Sequence, residues 1–177
     1  IQNATDGVSI TGATNATLNS LTFSGITGTS IFLNNEAATL SNITIDGGTN
    51  GISIANNTGT TRLSTINISN VTGDALSFDN NGGIINVANL TATNTGDDAV
   101  VITGGGTFNF TGSTTIDGLG AGASSDGFDL SGTTGATITT SHVDVTGLGG
   151  GTGLNLAGGD ATLTMASLDI TGTNVAG

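Results

Sequence analysis

Apolar residues come along this chain in short alternating triplets, and the triplets repeat. Val8-Ser-Ile10 is followed by Ile31-Phe-Leu33, Ile52-Ser-Ile54, Leu76-Ser-Phe78, Val100-Val-Ile102, Phe128-Asp-Leu130 and Leu154-Asn-Leu156. Their first positions lie 23, 21, 24, 24, 28 and 26 residues apart, a solenoid spacing. A second triplet follows in every repeat: Ala16-x-Leu18, Ala38-x-Leu40, Thr61-x-Leu63, Ile85-x-Val87, Phe108-x-Phe110, Ala136-x-Ile138 and Ala161-x-Leu163. A third follows as Leu21-x-Phe23, Ile43-x-Ile45, Ile66-x-Ile68, Leu90-x-Ala92, Val143-x-Val145 and Leu168-x-Ile170, with Thr114-x-Ile116 standing in the fifth repeat. Alternation in steps of two is the period of a β-strand, and no stretch shows helical periodicity. The pattern predicts seven repeats of three short strands.

The residues between the triplets predict how the strands turn. Two positions after the first triplet stand Gly12, Asn35, Asn56, Asn80, Gly104, Gly132 and Gly158. Two positions after the third stand Gly25, Gly47, Asn70, Asn94, Gly118, Gly147 and Gly172. Gly and Asn enter the left-handed backbone region at low cost, which a fixed corner needs once per coil. The residue before the first triplet is always small: Gly7, Ser30, Gly51, Ala75, Ala99, Gly127 and Gly153. Together these features predict an all-β fold, a parallel β-helix in which each repeat is one coil. Like residues then stack on like residues at about 4.8 Å per coil. Right-handed winding is expected from the bias of parallel crossovers. The absence of Pro agrees, because every coil donates its amides to a neighbour.

Composition now reads through that pattern. Gly, Thr, Asn and Ser make up 99 of the 177 residues, a bias often seen in disordered chains. Here 35% of residues are hydrophobic and fall on strand positions, so the bias is assigned to corners and outward strand faces. Arg62 is the only strong base against 13 acids, for a net charge of −12. Such a surface excludes nucleic acid as a partner and is repelled by anionic membranes. No apolar run is long enough for a membrane-spanning helix. With no Cys, disulfides and thiolate chemistry are excluded. Neither Ile1-Gln-Asn-Ala4 nor the stretch after Ile170-Thr-Gly172 reads as a cap, and both lie at the same phase of the coil. Residues 1–177 are therefore expected to form a single solenoid domain, a segment of a longer solenoid or a subunit that stacks end to end or associates laterally.

Stretches such as Ala38-Thr-Leu-Ser-Asn-Ile-Thr-Ile-Asp-Gly47 and Leu63-Ser-Thr-Ile-Asn-Ile-Ser-Asn-Val-Thr-Gly73 resemble the repetitive β-helical regions of large bacterial secreted surface proteins. These are autotransporter passengers and filamentous-haemagglutinin-like adhesins, and the resemblance runs along the whole chain. It implies an extracellular location at the cell surface and a structural or adhesive role in a fibre, adhesin or sheath. Surface glycans are possible partners on that reading. The repeats of those proteins have no fixed active site, so no functional residue is carried over.

Candidate chemistry gathers on a few acids. Asn94-Thr-Gly-Asp-Asp-Ala99 is comparable to the paired aspartates of β-helical polygalacturonases, and paired carboxylates can act on a glycosidic bond. The companion Gly-His-Gly and Arg-x-Lys segments of that family are missing, and no Trp or Tyr is available to stack on a sugar. Two positions before the first triplet stand Asp6, Thr29, Asn50, Asp74, Asp98, Asp126 and Thr152, residue types that bond nearby backbone amides. Asp74, Asp98 and Asp126 should stack in adjacent coils beside Asp97, and Ca²⁺ is the cation such oxygen ligands would take. No other cofactor and no enzymatic activity is expected. His142 reads as a solvent-facing strand residue, and Arg62 as pairing with a surface acid or lying over the second-strand face. Outward Thr137, Thr139, Thr162 and Thr164 raise ice or glycan binding as an alternative. Eight Asn-x-Ser/Thr sequons are present, in keeping with the Asn- and Thr-rich composition. The two longer intervals, at Gly120–Ser125 and Gly147–Thr152, read as inert corners.

Overall fold

The computed structural model describes residues 1–12, 14–122 and 124–172. The first coil carries β1 (Val8–Thr11) and β2 (Thr14–Ser24), the second β3 (Thr29–Asn34) and β4 (Ala37–Asp46), the third β5 (Asn50–Ala55) and β6 (Thr60–Ser69). The fourth carries β7 (Leu76–Asp79), β8 (Ile84–Val87) and β9 (Leu90–Thr95). The fifth carries β10 (Val100–Gly104) and β11 (Thr107–Leu119), and the sixth is one strand, β12 (Phe128–Thr146). The seventh carries β13 (Leu154–Asn155), β14 (Asp160–Met165) and β15 (Leu168–Thr171). All pairings between these strands are parallel and link each coil to the next. The result is a parallel β-helix of about seven turns.

One side of the solenoid is the ladder β1-β3-β5-β7-β10-β12-β13. Along it Val8, Ile31, Ile52, Leu76, Val100, Phe128 and Leu154 fall in register, as the repeat predicts. The second and third triplets form the other wall. In coils one, two, three and five they are not separate strands but one continuous strand. In the first three coils a left-handed residue bends that strand without breaking its ladder: Ser20 (φ 56°), Asn42 (φ 54°) and Thr65 (φ 57°). The changing identity of this residue hides the third corner from a search for Gly and Asn. Of the fourteen corners read from the sequence, twelve have positive φ, from 50° at Asn80 to 88° at Gly47. Gly132 and Gly172 do not. In the sixth coil the left-handed turn is made by Gly135 (φ 69°), three residues later, and the ladder slips between Val101 and Thr103.

That delay shifts the second triplet of the last two coils by two residues from the sequence assignment. Phe108 faces Ile138 rather than Ala136, and Phe110 faces Thr140. In the next coil Leu163 and Met165 take those positions. The longer loop after Leu130 moves the strand along by one pleat pair, which preserves inward and outward faces.

The bore is filled by aliphatic ladders and five of the six Phe residues. Phe78 packs tilted on Phe108 at 5.4 Å, and Phe110 meets Phe128 edge-on at 5.2 Å. Large Phe108 and Phe110 lie in the same coil as small Thr114, so the fifth coil conserves volume while departing from the aliphatic pattern. The small residue before each first strand faces the third-strand wall. A Cβ on Gly51 would lie 2.9 Å from the Ile68 side chain, and one on Gly127 3.1 Å from Val145. The remaining aromatic, Phe32, is half-buried on the outer face, between Ser9 and Ser53 in register.

Candidate functional site: an acidic groove

The column two residues before each first strand is an axial chain of side chain to backbone bonds. Asp6 Oδ1 accepts the Thr29 amide at 3.1 Å, and Asn50 Oδ1 accepts the Asp74 amide at 3.1 Å. The Asp98 amide donates to Asp74. Asp98 Oδ1 accepts the Asp126 amide at 2.6 Å, and Asp126 Oδ1 accepts both the Thr152 amide at 2.7 Å and its hydroxyl at 2.8 Å. These side chains bond backbone amides, as their residue types suggest. The amide, however, belongs to the next coil, so the column ties coils together along the axis.

At its upper end this column opens into a groove of about 430 Å³. Asp97, Asp98, Asp126 and Asp129 line it, with Ser124, Ser131, Thr152 and Asn155. Three of the four predicted cation ligands, Asp97, Asp98 and Asp126, are therefore brought together. Asp74 sits one coil below and does not line the groove. Among the described residues, no three acidic or imidazole groups form a cluster able to hold a metal ion.

Asp129 was not singled out by sequence, although its place between inward Phe128 and Leu130 puts it on the outer face beside the acid column. Its Oδ1 accepts the Ser131 amide at 2.9 Å. The insertion before the sixth first strand is also more than an inert corner. Its Ser124 walls the groove, and its buried Ser125 donates to the Gly96 carbonyl at 3.3 Å. Residue 123 of that insertion lies outside the described residues.

Asp98 is 7% exposed and Asp126 4%. Burial, then the neighbouring charges of Asp97, Asp74 and Asp129, push the Asp98 carboxyl up to about 7 against the bond from the Asp126 amide. Burial and the charges of Asp97 and Asp129 push Asp74 up to about 6, opposed by the Asp98 amide. A carboxyl still protonated near neutrality can donate a proton, the property a glycosidic general acid needs. Among the described residues, no cationic side chain lines the groove to neutralise these charges.

The other sequence candidates stay apart from the groove. His142 is exposed on β12, its Nδ1 3.2 Å from Ser167 Oγ in the next coil. Arg62 is exposed on the outer second-strand face, in register between Thr39 and Asn86. The outward column Thr17, Thr39, Arg62, Asn86, Asn109, Thr139 and Thr164 carries no carboxylate. Outward Thr137 and Thr162 stand beside it. Among the described residues, no helix is long and apolar enough to cross a membrane. No family model matches this chain, and no curated protein or solved structure does either.

Proposed function

We propose that this β-solenoid is a non-enzymatic structural module of the cell surface, a building block of an extracellular fibre, adhesin or sheath. The observation that carries the reading is the repetition itself. Asp98 and Asp126, the buried aspartates of the groove, are bonded to backbone amides of neighbouring coils, a structural use of carboxylates. Such a solenoid supplies length and a regular polar surface. Ca²⁺ belongs to the same proposal as a brace between coils, one on which Asp97, Asp98 and Asp126 would have to close, since as they stand they form no ligand cluster.

The raised Asp98 carboxyl favours one second reading, glycosidic cleavage in the acidic groove. Incubation with polygalacturonate and neutral glycans between pH 4 and 8, scored by new reducing ends, separates the two. The structural reading predicts no turnover by the native chain. Turnover that is lost in Asp98→Asn would overturn it.

A further inference from the structure

We propose that the pocket between Asp6 and Phe32 binds an organic ammonium group, with its methyl or methylene groups on the ring and its charge beside the carboxylate. The site does not depend on the surface role proposed above. The pocket, of about 230 Å³, is lined by Asp6, Val8, Ser9, Thr29 and Phe32. It lies on the flank of the solenoid and not on an axial face. Asp6 and Thr29 belong to the corner column, and Ser9 and Phe32 are register neighbours in the outward column of the first strands. The acidic groove occupies the same strip further along the axis. There Asp126 stands at the place of Thr29 and Asp129 at the place of Phe32.

The two walls of the pocket select the ligand class. Phe32 is the one aromatic outside the bore, and it is half-buried. Its register neighbours Ser9 and Ser53 are too short to cover the ring. An aromatic face attracts a cation. Asp6 supplies the opposite charge. Its Oδ1 accepts the Thr29 amide at 3.1 Å, and Gly28 packs against the same oxygen where no Cβ would fit, so the carboxylate is held in place. Among the described residues only Oδ1 is bonded, which leaves Oδ2 for a ligand. Arg62, the only strong base, stands on the second-strand wall and does not neutralise it. An anion is repelled by Asp6, and a wholly apolar ligand would desolvate its charge without return. A hard metal ion takes about six oxygen ligands, and here one carboxylate faces a ring. A cation with an apolar body suits both walls.

Ammonium groups reach such a pocket from two sources, a trimethylated head group or a lysine side chain of a partner. Two probes distinguish them by titration calorimetry, each beside a neutral counterpart. Choline is set against its carbon isostere 3,3-dimethylbutan-1-ol, and Nα-acetyl-lysine methylamide against the same compound acetylated at Nε. The native chain should bind at least one ammonium about tenfold more tightly than its counterpart, and the tighter probe names the source. Phe32→Ser gives the column the residue of both neighbours, and Asp6→Asn keeps an acceptor for the Thr29 amide. Both variants should keep the native circular dichroism spectrum, and each should weaken the tighter probe about tenfold. Ammonium affinity no greater than the neutral counterpart's for both probes, or affinity unaltered by Phe32→Ser, would overturn the proposal.

Discussion

Thr140 occupies a bore position between Phe110 and Met165. It is 2% exposed, and its Oγ1 has no hydrogen-bond partner. Desolvating an unpaired hydroxyl costs about 1–3 kcal/mol, and valine has the same shape without that cost. Thr140→Val is therefore expected to stabilise the chain by about 1–2 kcal/mol, read as a higher urea midpoint at unchanged slope. An unchanged or lower midpoint would mean the hydroxyl is satisfied. Sequence reading missed Thr140 because it set Ala136-x-Ile138 as the inward triplet. The loop that moves the triplet by two residues preserves alternation, and alternation was the only signal. Glu36 is a similar exception. It stands three residues after Leu33, as buried Asn57 and Asn81 do after Ile54 and Phe78, and its Oε1 accepts the Ala16 amide at 3.1 Å while Oε2 has no partner.

At the scale of the element, corners and ladders were readable where one residue type is required. Left-handed φ at Asn35, Asn56, Asn80 and Asn94 follows from a property of the single residue. The bends at Ser20 and Thr65 could not be read, because neighbouring coils impose them on residues that do not favour them. The acid column was readable as a set of amide-bonding side chains, but its partners were not, since the bonds join residues of adjacent coils 23 to 28 positions apart. That column makes a pH prediction. Asp74 and Asp98 have folded values near 6 and 7, above about 3.9 for an unfolded aspartate. The folded chain thus holds protons that the unfolded chain has released. Their contribution is fully present below about pH 4 and is lost as pH rises through 6 and 7. The melting midpoint should fall by a few degrees between pH 5 and pH 8. Asp98→Asn keeps the acceptor for the Asp126 amide, as Asn50 does for Asp74, and removes the ionisation near 7. Its pH slope should be shallower, and an unaltered slope would contradict the assignment. The same melts with Ca²⁺ and with chelator test the brace: bonding to amides alone predicts equal midpoints, and a rise in Ca²⁺ would establish the metal.

The whole molecule is a stack of near-identical interfaces, so its stability is close to a sum over neighbouring coils. The repeat made the architecture readable from sequence, because seven copies of a weak signal reinforce one another. The groove was only half readable. Asp97, Asp98 and Asp126 are brought together, but Asp129 and Ser124 join them through the outward face of β12 and an insertion with no periodicity. Paired cysteines test the coil register most directly, in a chain with no Cys of its own. The account predicts that Ser53→Cys with Ser77→Cys, register neighbours on adjacent coils, closes an intramolecular disulfide, while Ser53→Cys with Val101→Cys, two coils apart, closes none. Equal closure of the two pairs would contradict it.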